Sequence, residues 1–211
     1  QLLALIADYK LQEHPPFMRW LLLAACDAGH LSTAKLLIDQ GARERDDERD
    51  EQTPLQRAAV SGSTALMRLL LSKVDGGIEA LRMAARAEPR EGRTALHLAC
   101  IEGRFAAAEL LAREFPELLF LACRRGLTPL MCLLSRTTGQ QMTTQHTGEL
   151  LALMATQAEK LGRSHDLLSA ATGPSLGRLK GEPLHTPLLL AALSGRAGGV
   201  DFLLAHGADP N

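Results

Sequence analysis

Gly92-Arg93-Thr94-Ala95-Leu96-His97-Leu98-Ala99-Cys100-Ile101-Glu102-Gly103 opens on a residue that caps helices, runs through a small apolar block and closes on glycine. Outward from it, the same order returns at Thr53-Pro54-Leu55, Thr128-Pro129-Leu130 and Thr186-Pro187-Leu188. Ala58-Ala59 and Ala191-Ala192 fill the place of Ala99-Cys100. A threonine oxygen ahead of a helix accepts from a first-turn amide, and a proline in that turn loses no hydrogen bond. Trp20 stands where a further threonine would, yet Leu21-Leu22-Leu23-Ala24-Ala25-Cys26 continues the pattern. The intervals from Trp20 onward are 33, 41, 34 and 58 residues. A period near 33 therefore persists, stretched twice by segments of about eight and about 25 residues. Such a repeat predicts an all-α stack of helical pairs with an extended surface, and it directs the functional question toward a partner.

Composition agrees. Of 211 residues, 46% are hydrophobic but only 3% aromatic, so Leu and Ala must supply thin, closely packed layers. The formal net charge of −1 gives no basic field to recruit nucleic acid or a membrane surface. No apolar stretch approaches the roughly 20 residues of a membrane span. Cys26, Cys100, Cys123 and Cys132 all sit in apolar surroundings, which predicts buried thiols in a reducing cytosol or nucleus rather than disulfides or metal ligands. Gln1 is not an initiator methionine, so the chain reads as a piece of something longer.

Within each unit a second helix follows the first. After Gly62 it runs over 65–72 with Leu66, Leu69 and Leu70 at amphipathic spacing, and in the first unit Gly41 supplies the left-handed stop. The first stretched interval holds an added helix over 78–87, ending before Pro89. The second begins near Thr137 with a polar tract, 138–145, followed by an outer helix over about 149–161 and a Gly/Pro loop over 172–177.

These segments resemble ankyrin repeats, whose consensus runs G-x-T-P-L-H-x-A-A-x-x-G-H and ends G-A-D-x-N. The residues at 92–103, 126–134, 185–195 and 202–211 carry the likeness, and it extends over nearly the whole chain. It implies an ankyrin solenoid forming one domain over 1–211. Residues 1–13 supply the outer helix of a preceding repeat, and repeats follow over 15–47, 48–88, 89–122, 123–180 and 181–211. The motif histidine survives only at His97. Gln56, Met131 and Leu189 replace it, which predicts weaker hydrogen bonding between neighbouring turns. Asn211 stands where many ankyrin repeats are hydroxylated.

The resemblance also implies where a partner would lie. In ankyrin repeats, the hairpin tips before each threonine and the end of the inner helix form a concave groove. Carried onto this sequence, the partner-binding residues are Arg49, Asp50, Gln52, Arg90, Glu91, Arg93, Glu102, Arg124, Arg125, Leu127 and Arg136. Val60, Ser61, Ile101 and Ser135 join them, with Phe17, Arg19, Asp27 and Ala28 in the less securely phased first unit. Five of these, Arg90, Arg93, Arg124, Arg125 and Arg136, present planar cations suited to carboxylate or phosphate. The mixed run 43–51 reads as a solvated finger.

Catalysis finds no support. No phosphate-cradling glycine loop is present. Ser164-His165-Asp166 has the letters of a triad, but sequence neighbours cannot fold back into one, and Ser164 reads as a helix cap. The expected partner is another protein or a peptide of acidic character, in an intracellular, cytoplasmic or nuclear setting. No small-molecule substrate, cofactor, metal, nucleic acid or membrane insertion is expected. The alternative is a regulatory or targeting domain of a larger enzyme, channel or transcription regulator.

Overall fold

Thr53 Oγ1 accepts from the Gln56 N–H at 3.1 Å, and the Thr53 N–H donates back to Gln56 Oε1 at 2.8 Å. This reciprocal cap starts α3 (Pro54–Ser61), and Thr94, Thr128 and Thr186 stand at the same place before three later inner helices. Thr128 accepts from the Met131 N–H and Thr186 from the Leu189 N–H. A computed structural model describes residues 14–42, 52–73, 90–135, 144–170 and 185–209. Among them lie five helical pairs and no strand. The pairs are α1 (Pro15–Asp27) with α2 (Leu31–Asp39), α3 with α4 (Thr64–Ser72), and α5 (Ala95–Glu102) with α6 (Phe105–Glu114). After a 3₁₀ turn (Pro116–Phe120) come α7 (Pro129–Leu134) with α8 (Thr144–Lys160), then α9 (Ser164–Ser169), and finally α10 (Pro187–Leu193) with α11 (Ala197–Ala205).

The first helices of the pairs pack in chain order, α1 on α3, α3 on α5, α5 on α7 and α7 on α10. The second helices form a parallel layer, α2 on α4, α4 on α6, α6 on α8 and α8 on α11. Leu55, Leu96 and Leu130, each two residues after a capping threonine, and Leu22, two residues after Trp20, are at most 1% exposed. The paired small residues Ala25-Cys26, Ala58-Ala59 and Ala99-Cys100 are buried behind them and leave room for the next helix. In the last pair Leu188, at the same position, is half-buried. All four cysteines are buried and none forms a disulfide among the described residues.

Several sequence expectations need correction. Phe17 and Arg19, expected on a hairpin ahead of the first inner helix, lie within it: α1 starts at Pro15, about a turn and a half earlier than its counterparts. Proline is tolerated in a first turn, so Pro15-Pro16 begins a helix here rather than blocking one. Helix α8 starts at Thr144, five residues before Glu149, with Gln145 donating to Glu149 at 3.1 Å and His146 stacked on Phe105 of α6. Ser164 is the first residue of α9 and Arg163 its cap position.

The expectation that Gln56 weakens the bonding between turns is also wrong. Gln56 Nε2 donates to the Arg93 carbonyl of the next pair at 3.3 Å, just as His97 Nε2 faces the Leu127 carbonyl at 3.0 Å. Arg93 and Leu127 each directly precede a capping threonine, so the two bonds are equivalent rungs of one ladder. The 78–87 helix, the 172–177 loop, residues 1–13 and Asn211 lie outside the described residues.

Candidate partner-binding face

At or next to the ends of the inner helices, seven residues beyond Trp20 and each capping threonine, stand Asp27, Val60, Ile101, Ser135 and Leu193. Asp27 is exposed, Val60, Ile101 and Ser135 are half-exposed, and Leu193 is 68% exposed. One position on lie exposed Ala28, half-exposed Ser61 and exposed Glu102. The inner-helix ends expected at a partner surface are thus open to solvent. Asp27 is already engaged by Arg57 of α3, an ion pair that joins the first two pairs.

The residues just before each threonine divide. Gln52, Glu91, Arg93 and Leu127 are half-buried, and Arg90, Arg124 and Arg125 are exposed. Arg49, Asp50 and Arg136 lie outside the described residues. In the first unit Phe17 is exposed, but Arg19 is 4% exposed and faces no partner surface. Its burial follows from the extension of α1, which puts position 19 inside a helix instead of on a hairpin. The same extension stacks Phe17 on Trp20, ring centroids 5.9 Å apart, with Trp20 59% exposed.

The five arginines of the sequence cluster are not equivalent. Arg93 Nη2 lies 3.7 Å from Glu91 Oε2, so its charge is partly answered at home. The Arg124 backbone N–H donates to the Glu91 carbonyl at 2.7 Å, and its Nη1 donates to the Arg90 carbonyl at 3.3 Å. The Arg124 stem lies over Gly92, where a Cβ would stand 2.9 Å from Cγ. Arg124 therefore ties one hairpin to the preceding one. Arg125 is exposed and, among the described residues, has no hydrogen-bond or ion-pair partner. The sequence signal of five arginines overstated the free cation because backbone carbonyls do not show in a charge count.

His97 is fully buried beneath this face. Its Nδ1 accepts from the Thr94 N–H at 3.2 Å and lies 2.8 Å from the Thr94 hydroxyl. The proton therefore sits on Nε2, which donates to the Leu127 carbonyl. Its pKa is lowered to about 4, chiefly by burial and with a smaller push from nearby Arg93, against the opposing pull of that carbonyl. A neutral ring with both nitrogens engaged is a structural element rather than a base. Cys132 is likewise pushed up to about 12 by burial and by Cys123, which leaves it an inert thiol. Asp166 pairs with Arg163 at 2.7 Å, and His165 faces Ser169, so the three letters at 164–166 do not assemble into a triad. Among the described residues no cluster of metal-ligating side chains occurs, and no helix is long and apolar enough to cross a membrane.

Comparison with known proteins bears directly on this arrangement. Residues 2–80 and 21–117 match the family model for ankyrin repeats in three copies, and 184–211 match that for a single ankyrin repeat. The chain belongs to the ankyrin repeat family. Ankyrin repeats are in general protein–protein interaction modules. The chain is similar to the ankyrin repeat protein nuc-2 of Neurospora crassa, 28% identical over 188 residues. That alignment covers 88% of this chain and 14% of the relative. The matched family stretches do not include 118–183. The ankyrin cap nevertheless recurs there at Thr128, and His97 bonds to the carbonyl just ahead of it.

Proposed function

We propose that this ankyrin repeat region is a non-enzymatic module that holds an acidic segment of another protein along its concave face. The repeats divide as 15–47, 48–88, 89–122, 123–180 and 181–211. The partner runs across the inner-helix ends at Val60, Ile101 and Glu102 and reaches the hairpin cations, in an intracellular, cytoplasmic or nuclear setting. One observation carries the reading: Arg125 is an exposed hairpin guanidinium with no internal partner among the described residues, on a chain whose net charge is near zero. Such a fork is suited to bidentate pairing with a carboxylate. Arg93 and Arg124 contribute charge from positions fixed by Glu91 and by the Glu91 and Arg90 carbonyls.

Arg125→Glu is therefore the sharpest test, because it breaks no internal tie. We expect it to weaken partner binding tenfold or more, measured by titration of the purified partner segment after its capture and identification by mass spectrometry. The melting temperature should stay within about a degree, as usual for a surface change. Equal affinity of the variant and the parent would refute the groove assignment.

A second reading makes this region a regulatory or targeting part of a larger enzyme, channel or transcription regulator. It is favoured by the length of the relative, of which the aligned region is 14%. Assay of the whole protein with and without residues 1–211 separates the two.

A further inference from the structure

Arg104, ten residues past Thr94, lies outside the positions that the sequence assigns to a partner surface. It stands in the turn between α5 and α6, yet its side chain reaches back to the preceding pair. Its Nε donates to the Val60 carbonyl at 2.8 Å, at the end of α3. Its stem lies over Gly62, where a Cβ would stand 2.9 Å from Arg104 Cδ and 3.4 Å from Cγ. The glycine that ends α3 therefore also makes room for the arginine.

This tie uses Nε alone. The residue is exposed, and both of its Nη groups are without a partner among the described residues. Other cations of the stack are answered by carboxylates: Arg57 by Asp27, Lys73 by Asp39, Arg113 by Glu109 and Arg163 by Asp166. Glu102, exposed two residues earlier, makes no ion pair with Arg104. The guanidinium is bonded to the backbone of half-exposed Val60, and half-exposed Ile101 takes the corresponding place one pair further on.

We propose that Arg104 is a carboxylate-binding residue of the partner face. Its two Nη groups take an Asp or Glu side chain of the partner segment while an aliphatic residue of that segment covers Val60. This rests on the reading of the face as a protein-binding surface. A long cation loses rotamer freedom when binding orders it, but Gly62 and the Val60 carbonyl have ordered this one already. The planar fork then pairs with one carboxylate through two charge-assisted bonds. In an extended segment residues two apart share a face, about 7 Å from one another, so one aliphatic and one acidic residue reach both places.

Arg104→Gln separates binding from structure. Glutamine Nε2 is as many bonds from Cα as arginine Nε, so it keeps a donor for the Val60 carbonyl and loses only the fork. The probe is the acetylated peptide Gly-Ser-Asp-Ser-Leu-Ser-Asp-Ser-Gly, which sets an Asp two residues from Leu in either chain direction. Titrated by NMR into a chain containing residues 1–211, it should bind the parent about tenfold more tightly than Arg104→Gln. The melting temperature of the variant should stay within about a degree. In the parent the peptide should shift the Arg104 Nη signals and leave the Nε–H signal in place, a result that needs no variant. A peptide with Asn for both Asp residues should lose the preference for the parent. Weakening by Arg125→Glu but not by Arg104→Gln overturns this inference alone, and weakening by neither overturns the partner-face reading as well. A parent that binds the Asn peptide as tightly as the Asp peptide, or binds neither, also overturns it.

Discussion

Lowering the pH from 7 to 4 removes about 3 kcal/mol of folding stability through His97 alone, and His97→Gln abolishes that part of the loss. In the folded chain the ring titrates at about 4, against 6.5 for an ordinary histidine. The unfolded chain therefore holds the extra proton between those values. The contribution is fully present above pH 6.5 and drains away as the pH falls toward and through 4. The cause is local. A protonated ring would turn Nδ1 into a donor facing the Thr94 N–H, and it would place a charge in a fully buried site with Arg93 nearby.

Glutamine at 97 repeats what Gln56 does one pair earlier, where it accepts from the Thr53 N–H and donates to the Arg93 carbonyl. The variant should thus be close to the parent at pH 7 and more stable than it at pH 4. Urea denaturation at pH 7, 5.5 and 4 gives the comparison, and subtracting the two series cancels the carboxylates that titrate in both. Parallel pH profiles would show that His97 is already hydrated or protonated in the folded chain. His97→Leu gives the opposite result at pH 7. It leaves the Leu127 carbonyl and the Thr94 N–H without their side-chain partner, a loss of about 2–4 kcal/mol.

The residues that made the fold legible are those whose physics is local. A threonine caps a helix through its own first turn, and a leucine two residues later points at the same core in every pair. Neither needs knowledge of what lies across the stack. The misread residues are those whose role depends on a distant backbone group. Gln56 looked like a lost histidine until the Arg93 carbonyl stood opposite it. Arg124 looked like a free cation at a hairpin tip, yet its backbone N–H and one guanidinium nitrogen are tied to the preceding hairpin. Arg19 looked like a hairpin tip because its number, counted from Trp20, put it on one; two prolines able to start a helix moved it inside. Arg125 is exposed and has no hydrogen-bond or ion-pair partner among the described residues.

Replacing Gly92 by alanine should lower stability by about 2–4 kcal/mol, well beyond what the same change does at other left-handed glycines of the stack. Gly92 has φ +70°, where any side chain costs roughly 1–2 kcal/mol. Its Cβ would also stand 2.9 Å from Arg124 Cγ and 3.1 Å from the Arg124 backbone nitrogen. The side chain could swing away, but the nitrogen is held at 2.7 Å by the Glu91 carbonyl, so relief means breaking the tie between successive hairpins. Gly62, at φ +81°, meets only the Arg104 side chain, whose retreat costs the bond from its Nε to the Val60 carbonyl. Gly41, at φ +94°, has nothing within 4 Å, so alanine there carries the backbone cost alone. The expected order of loss is Gly92→Ala, then Gly62→Ala, then Gly41→Ala. At about 2–4 °C per kcal/mol for a chain of this size, the first should melt roughly 5–15 °C below the parent. Differential scanning calorimetry of the three variants decides the matter: equal shifts would mean that φ alone governs these sites and that the hairpins are not joined through Arg124.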